Sequence, residues 1–225
     1  MITFALPKGR IFKEVSELLR KTDFPEFDYE DISRNLVIKT NDPEVRLLIV
    51  RSQDVPTYVH YGAADIGVVG SDVLEELDFE DVYQPLDLGI GLCKLSVAAA
   101  EIEMYKSMLD SDLPITIATK YPKQTLEYFC KKGKNVNLVK LYGSIELAPL
   151  VNLAHAVVDL VSTGKTLKAN GLVEVELIKN ISSRLIINKA SLKLKDNSIT
   201  EILEGLRLIA DEKGRGKGNN DQETE

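Results

Sequence analysis

One stretch constrains this chain more than any other. The apolar-rich run Val157-Val158-Asp159-Leu160-Val161 breaks into Ser162-Thr163-Gly164-Lys165-Thr166, and Leu167-Lys168-Ala169-Asn170-Gly171-Leu172 follows. The run predicts a buried strand, and the segment after the turn predicts a helix start. Gly164 lets the backbone turn its N–H groups toward one point, while Ser162, Thr163 and Thr166 add hydroxyl donors. With the unpaired N–H groups of a helix start, this makes a place suited to phosphate. Asp159, just upstream, is an acceptor for sugar hydroxyls or a partner for a metal-bound ligand. Taken alone, the motif reads equally well as a strand-turn-helix link whose Ser and Thr residues only cap the helix.

The spacing is neither that of a Walker A loop nor that of a G-x-G-x-x-G dinucleotide turn. It resembles the 5′-phosphate loop of phosphoribosyltransferases, with Val158 standing where the common members carry the first of two acids.

Around this motif, short apolar runs alternate with amphipathic stretches. Strands are predicted at Ile2 to Leu6, Leu36 to Lys39, Arg46 to Val50, Ala64 to Val69, Val82 to Leu86 and Leu95 to Ala100. Further strands are predicted at Ile115 to Thr119, Asn137 to Leu141, Ala156 to Val161, Leu172 to Ile178 and Ser183 to Asn188. Helices fall after Gly9 to about Lys21, from Pro56, from Ser71 to Leu77, at Gln124 to Lys132, at Ile145 to Asn152, after Gly164, and at Ser198 to Asp211. Such alternation predicts an α/β protein with largely parallel sheets. One lobe is expected from residues 1–91 with 175–211 and a second from 92–174, with a ligand cleft between them. Residues 212–225 hold no apolar side chain and are expected to be disordered.

Composition narrows the class. At 225 residues, with 44% hydrophobic and 28% charged residues, the chain suits a soluble globular protein with a sizeable core. A net charge of −7 lacks the basic footprint of a nucleic-acid binder. No apolar run is long enough for a membrane span, and the first residues lack the pattern of a secretion signal, so a cytoplasmic location is expected. Cys93 and Cys130 are too few for a disulfide framework and are expected as buried thiols. His60 and His155 form no i, i+4 zinc pair, and no set of residues offers metal ligands.

Other residues offer anion chemistry. Lys8-Gly9-Arg10 lies between a strand end and a helix start, where α/β folds bind anions. Arg51 follows Leu47-Leu48-Ile49-Val50 and is expected at a strand mouth, able to clamp a polyphosphate or to pair with Asp54. Gly70-Ser71 opens a second strand-turn-helix, read equally as an anion site or an N-cap. Glu146 follows Gly143-Ser144; it either faces a ligand or is an exposed first-turn acid. Arg34 precedes a strand and carries little signal by itself.

Together these segments resemble the ATP phosphoribosyltransferases over residues 2 to about 208. The resemblance is carried by Leu6-Pro7-Lys8-Gly9-Arg10, Asp54-Val55-Pro56-Thr57-Tyr58, Gly62-Ala63-Ala64-Asp65-Ile66-Gly67, Ala118-Thr119-Lys120-Tyr121-Pro122, Gly143-Ser144-Ile145-Glu146-Leu147-Ala148-Pro149 and Asp159 through Leu172. It implies the two-lobed α/β fold of type II periplasmic solute-binding proteins. It also implies transfer of phosphoribosyl from PRPP to N1 of ATP, with Mg²⁺. The length resembles the short form of the family, which implies a separate regulatory subunit related to histidyl-tRNA synthetase in a hetero-octamer. On this resemblance Asp159, Ser162, Thr163, Gly164, Lys165 and Thr166 hold PRPP. Arg51, Lys8 and Glu146 act in catalysis, and Arg10, Arg34, Gly70 and Ser71 lie at the nucleotide. Two departures stand out, Asn152 and His155: Asn152-Leu153-Ala154-His155 occupies the place of a usual Gly-Leu-Ala-Asp. The alternatives are another PRPP transferase, or a non-enzymatic small-anion-binding or effector-binding domain of the same fold.

Overall fold

Ile2 to Pro7 are buried without interruption, as an inner strand requires. The computed structural model describes residues 1–28, 35–79 and 82–218. In chain order the elements are β1 (Ile2–Pro7), α1 (Arg10–Leu19), β2 (Val37–Lys39), β3 (Val45–Val50), α2 (Val55–His60), β4 (Ile66–Gly70), α3 (Ser71–Leu77) and β5 (Val82–Asp87). There follow β6 (Cys93–Ala99), α4 (Ile102–Asp110), β7 (Ile115–Thr119), α5 (Pro122–Lys131), β8 (Val136–Lys140), β9 (Ala156–Val161), α6 (Lys165–Ala169) and β10 (Val173–Ile181). The chain ends with β11 (Ser183–Asn188), α7 (Lys189–Leu194) and α8 (Asp196–Gly218).

These elements form two compact units, Met1–Gly91 with Ser182–Glu225, and Leu92–Ile181. The first holds a sheet in the order β2-β3-β1-β4-β11-β5, the second a sheet in the order β10-β6-β9-β7-β8. In the first unit, α1 buries Phe12, Val15, Leu18 and Leu19 against Phe4, Leu6, Leu47 and Ile49. In the second, Tyr105 and Phe129 pack on Leu95, Val97, Ile117 and Val158. Each such fully buried side chain stabilises by about 1.5–3 kcal/mol.

Several expectations are corrected. The sheets are mixed: β3-β1-β4 and β9-β7-β8 run parallel, but β11 and β6 run against both of their neighbours. Each of those two strands directly follows a passage of the chain from one unit into the other, and each enters its sheet reversed. The second passage lies at Ile181/Ser182, not at 174/175, because β10 pairs with β6 from Val173 opposite Ala99 to Ile181 opposite Cys93. The predicted helix at 145–152 is instead two 3₁₀ turns, Ile145–Leu147 and Pro149–Val151. Pro149 has no N–H for a continuing helix, and Ser144 and Asn152 at the flanks have left-handed φ of 49° and 56°. α8 continues through Gly218, into the segment expected to be disordered; residues 219–225 lie outside the described residues. Cys93 and Cys130 are both unbridged, but Cys93 is half-buried and Cys130 exposed.

A buried carboxylate ties the first unit together. Asp65, 4% exposed, accepts from the Thr3 N–H at 2.8 Å, the Ser191 hydroxyl at 2.6 Å and the Lys195 ammonium at 2.8 and 2.9 Å. Burial alone lifts its pKa. The Lys195, Ser191 and Thr3 bonds outweigh that and leave it below the usual carboxylate range.

Candidate active site

β9 leads into the loop of residues 162–166. Ala156, Val158 and Leu160 face one core of the second unit, while Val157 and Val161 face another with Leu167 and Leu172. Strand alternation therefore puts Asp159 on the face where α6 packs. After Val161 the chain bends through Ser162 and Thr163, and Gly164 takes φ +70° with no atom near its missing side chain. A left-handed φ of that size strains any residue with a Cβ. The N–H groups of Gly164, Lys165, Thr166 and Leu167 have no acceptor among the described residues. Ser162, Thr163, Lys165 and Thr166 are exposed. α6 is short, so these individual donors, more than a macrodipole, make the place attractive to a phosphate. Asp159 Oδ1 accepts the N–H of Leu160 at 2.8 Å, which fixes the carboxyl beside the loop.

Glu146 approaches the same loop. Its 3₁₀ turn is anchored by Ile145, which packs with Val161 and Leu167, and the turn follows β8. Because β8, β7 and β9 are parallel, their carboxyl ends lie at one edge, and Glu146 and the loop share it.

In the first unit the parallel run β3-β1-β4 has its own carboxyl edge. Order reverses there, since the chain goes from β1 to one side and then to the other, which is where α/β sheets bind ligands. Pro7 pairs with Val50, and the Lys8 N–H donates to the Val50 carbonyl at 2.9 Å. Lys8 and Arg51 therefore emerge side by side. Both are exposed, and neither has an ion pair among the described residues; Arg51 meets Asp54 only through the Asp54 N–H on its carbonyl at 2.9 Å. Gly9, at φ +94°, turns the chain into α1.

Arg10 behaves differently from Lys8. Its Nε lies 3.6 Å from Glu14 and its Nη2 donates to the Gly91 carbonyl at 3.4 Å. Gly70 and Ser71 are buried, the Ser71 N–H is spent on the Ser182 carbonyl at 2.9 Å, and the Asp72 carboxylate folds over Gly70. The Asp72 carboxylate lies in the first turn of α3, where a negative charge suits a helix start, and Gly70 has no side-chain cap bond. Arg34 lies outside the described residues. His155 is a strand-end contact: its Nδ1 accepts the Thr116 N–H at 2.9 Å while its own N–H donates to the Thr116 carbonyl. Among the described residues no group of three His, Cys, Asp or Glu side chains is placed to hold a metal.

A cavity of about 950 Å³ in the first unit is lined by Met1 and Ile2, at the opposite end of β1 from Lys8. Asp23, Asp42, Glu44, Asp196, Glu201 and Glu204 are among its lining residues, and so acidic a wall does not receive a polyphosphate.

The fold defines a class: two-unit α/β proteins with one open sheet in each unit and two passages of the chain between them. The family model described as HisG: ATP phosphoribosyltransferase matches residues 51–208, and the chain belongs to that family. An ATP phosphoribosyltransferase from Janthinobacterium sp. (strain Marseille) is 53% identical over 203 residues, covering 90% of this chain and 92% of the relative. Among solved structures, the ATP phosphoribosyl transferase (HisG:HisZ) complex from Thermotoga maritima matches with a TM-score of 0.76 and 31% identity, over 94% of this chain and 100% of that one. The periplasmic aliphatic sulphonate binding protein SsuA from Escherichia coli shares the fold alone, at a TM-score of 0.58 and 13% identity over 97% of this chain and 75% of that one. Among the described residues no helix is long and apolar enough to cross a membrane.

Proposed function

We propose that this chain transfers the 5-phosphoribosyl group of PRPP to N1 of the ATP adenine, releasing pyrophosphate, in the first step of histidine biosynthesis. The observation that carries the reading is the loop after β9. Its N–H groups from Gly164 to Leu167 have no acceptor among the described residues, and Asp159 stands on the strand face beside them.

In this reading the loop anchors the 5′-phosphate through Ser162, Thr163, Gly164, Lys165 and Thr166, and Asp159 accepts from the ribose hydroxyls. The C1′–N1 bond forms as the C1′–O bond breaks, and pyrophosphate leaves with the electron pair. Positive charge grows on the sugar and negative charge on the leaving group. Lys8 and Arg51 meet that negative charge or the ATP triphosphate, with Arg51 able to bind two oxygens at once. Glu146 contacts ribose or adenine. No general base is needed, because N1 attacks with a lone pair and the proton of the product leaves afterwards.

Mg²⁺ supplies charge neutralisation at the phosphates when bound. The chain fits it as a substrate-borne ion: Asp159, Glu146 and Glu174 are carboxylates near the loop, but among the described residues no three are grouped to hold a metal, and such sites complete the shell with phosphate oxygens and water. We take the location to be the cytoplasm, where ATP and PRPP are. A HisZ-like subunit related to histidyl-tRNA synthetase, as in the Thermotoga maritima complex, is the proposed partner in a hetero-octamer, and histidine feedback acts through it.

The test is pyrophosphate release from PRPP and Mg²⁺, with and without ATP, in the absence and presence of a HisZ-like subunit. Release that requires ATP and yields a phosphoribosylated adenine nucleotide is expected. A folded protein that releases none in any mixture would overturn the reading.

A further inference from the structure

The chain leaves β9 at Val161 and re-enters the same sheet as β10, with β6 lying between the two. The phosphate loop and α6 must therefore pass over β6, on the face where Leu167 packs with Ala98. The β6 residues on that face are Ala98, Ser96 and Lys94. Ser96 stands directly opposite Asp159, and Lys94 directly opposite Val161, the last residue before the loop. Opposed residues of antiparallel strands have Cα atoms only about 4.5–5.5 Å apart and point to one face. Lys94 thus rises at the end of β6 that the loop crosses.

Its surroundings keep the ammonium there without using it up. The buried Ser96 hydroxyl donates to Glu174 Oε1 at 2.8 Å, which fixes that carboxylate on the neighbouring strand. Lys94 Nζ lies 3.9 Å from the same oxygen, beyond hydrogen-bond length, and its side chain is half exposed. A phosphate dianion offers a stronger partner at shorter range than this one shared carboxylate.

We propose that Lys94 is a binding residue for the 5′-phosphate of the donor, held in place by the Ser96–Glu174 pair. The inference rests on the reading of the loop as the 5′-phosphate site. Lys94 supplies a compact charge at the floor of the loop, while the loop supplies N–H and hydroxyl donors from above.

The experiment is calorimetric binding of ribose 5-phosphate to the full chain, comparing wild type, Lys94→Met, Lys94→Arg and the loop double variant Thr163→Ala/Thr166→Ala. Lys94→Met keeps the aliphatic stem, and thermal melts verify folding. Expected are a loss of about tenfold or more in affinity for Lys94→Met, the size of one charge-assisted hydrogen bond, and a return to within about threefold of wild type for Lys94→Arg. Weakened binding in the loop variant with unchanged binding in Lys94→Met would overturn the role of Lys94 and leave the loop reading standing. No binding to wild type would instead remove the loop reading and this inference with it.

Discussion

The Glu14 carboxylate accepts the N–H of Gly91 at 2.8 Å, so the first helix holds the last residue of its unit before the chain departs. Arg10 reinforces the clamp from the other side of the same peptide segment, donating to the Gly91 carbonyl. The residue so held is a glycine for two reasons. Its φ is +62°, and a Cβ there would lie 2.6 Å from Ser183 Oγ.

Gly91→Ala is therefore expected to lower stability by about 2–3 kcal/mol in urea unfolding, combining backbone strain with the clash. Gly89→Ala is the internal control: its φ is +59° with open space around it, and about 1 kcal/mol is expected. Equal losses in the two variants would show that Ser183 rotates away at no cost.

Arg51→Ala is expected to depress turnover by about 10²–10³-fold with an unchanged melting temperature, because the side chain is exposed and has no ion pair among the described residues. Arg51→Lys should recover only part of the loss, since an ammonium cannot bind two oxygens in a fork. Steady-state kinetics with saturating ATP and PRPP decide this. Near-normal turnover in Arg51→Ala would remove the residue from the chemistry.

Asp65→Asn should cost about 2 kcal/mol, less than a fully buried pair because Lys195 stays partly exposed. The pH dependence has a definite sign. The folded-state pKa of Asp65 is depressed, so its contribution is complete above the unfolded value of about 4 and is lost as pH falls through the lower folded value. Unfolding curves below about pH 4 should steepen their decline in the wild type and flatten in Asp65→Asn. Parallel curves would contradict the assignment.

His155→Asp should fold with stability within about 1 kcal/mol of wild type, because a carboxylate can accept the same Thr116 N–H. His155→Ala leaves that donor without its partner, and about 1 kcal/mol of loss is expected. The departure from the family pattern at this position thus exchanges one acceptor for another. A larger loss in the Asp variant than in the Ala variant would refute that.

Legibility from sequence followed burial. β7 and β9 stand where the apolar runs predict them, since both are inner strands with few polar interruptions. α4 was invisible because Tyr105 is its only buried side chain, too little to make a stripe. β10 from Val175 onward is expected in the first lobe but belongs to the second unit, because a strand pattern does not name the sheet it joins. The loop residues and Asp159 were readable as one contiguous motif. Lys94 was not: 67 residues separate it from Val161, and only the register of β6 against β9 brings them level. The internal partners of Arg10, Gly70 and Ser71, namely Gly91, Asp72 and Ser182, were not readable either, because for Arg10 and Ser71 only the fold brings them together.

The pairing of Cys93 with Ile181 has an architectural consequence. The stretch that begins at Leu92 and finishes at Ile181 is uninterrupted, and its two ends lie on adjacent strands about 5 Å apart. In the other unit, Ser183 likewise bonds to Ile90. The second unit is thus a cassette with neighbouring exits, and the first unit closes behind it with a gap that a tight hairpin turn can bridge.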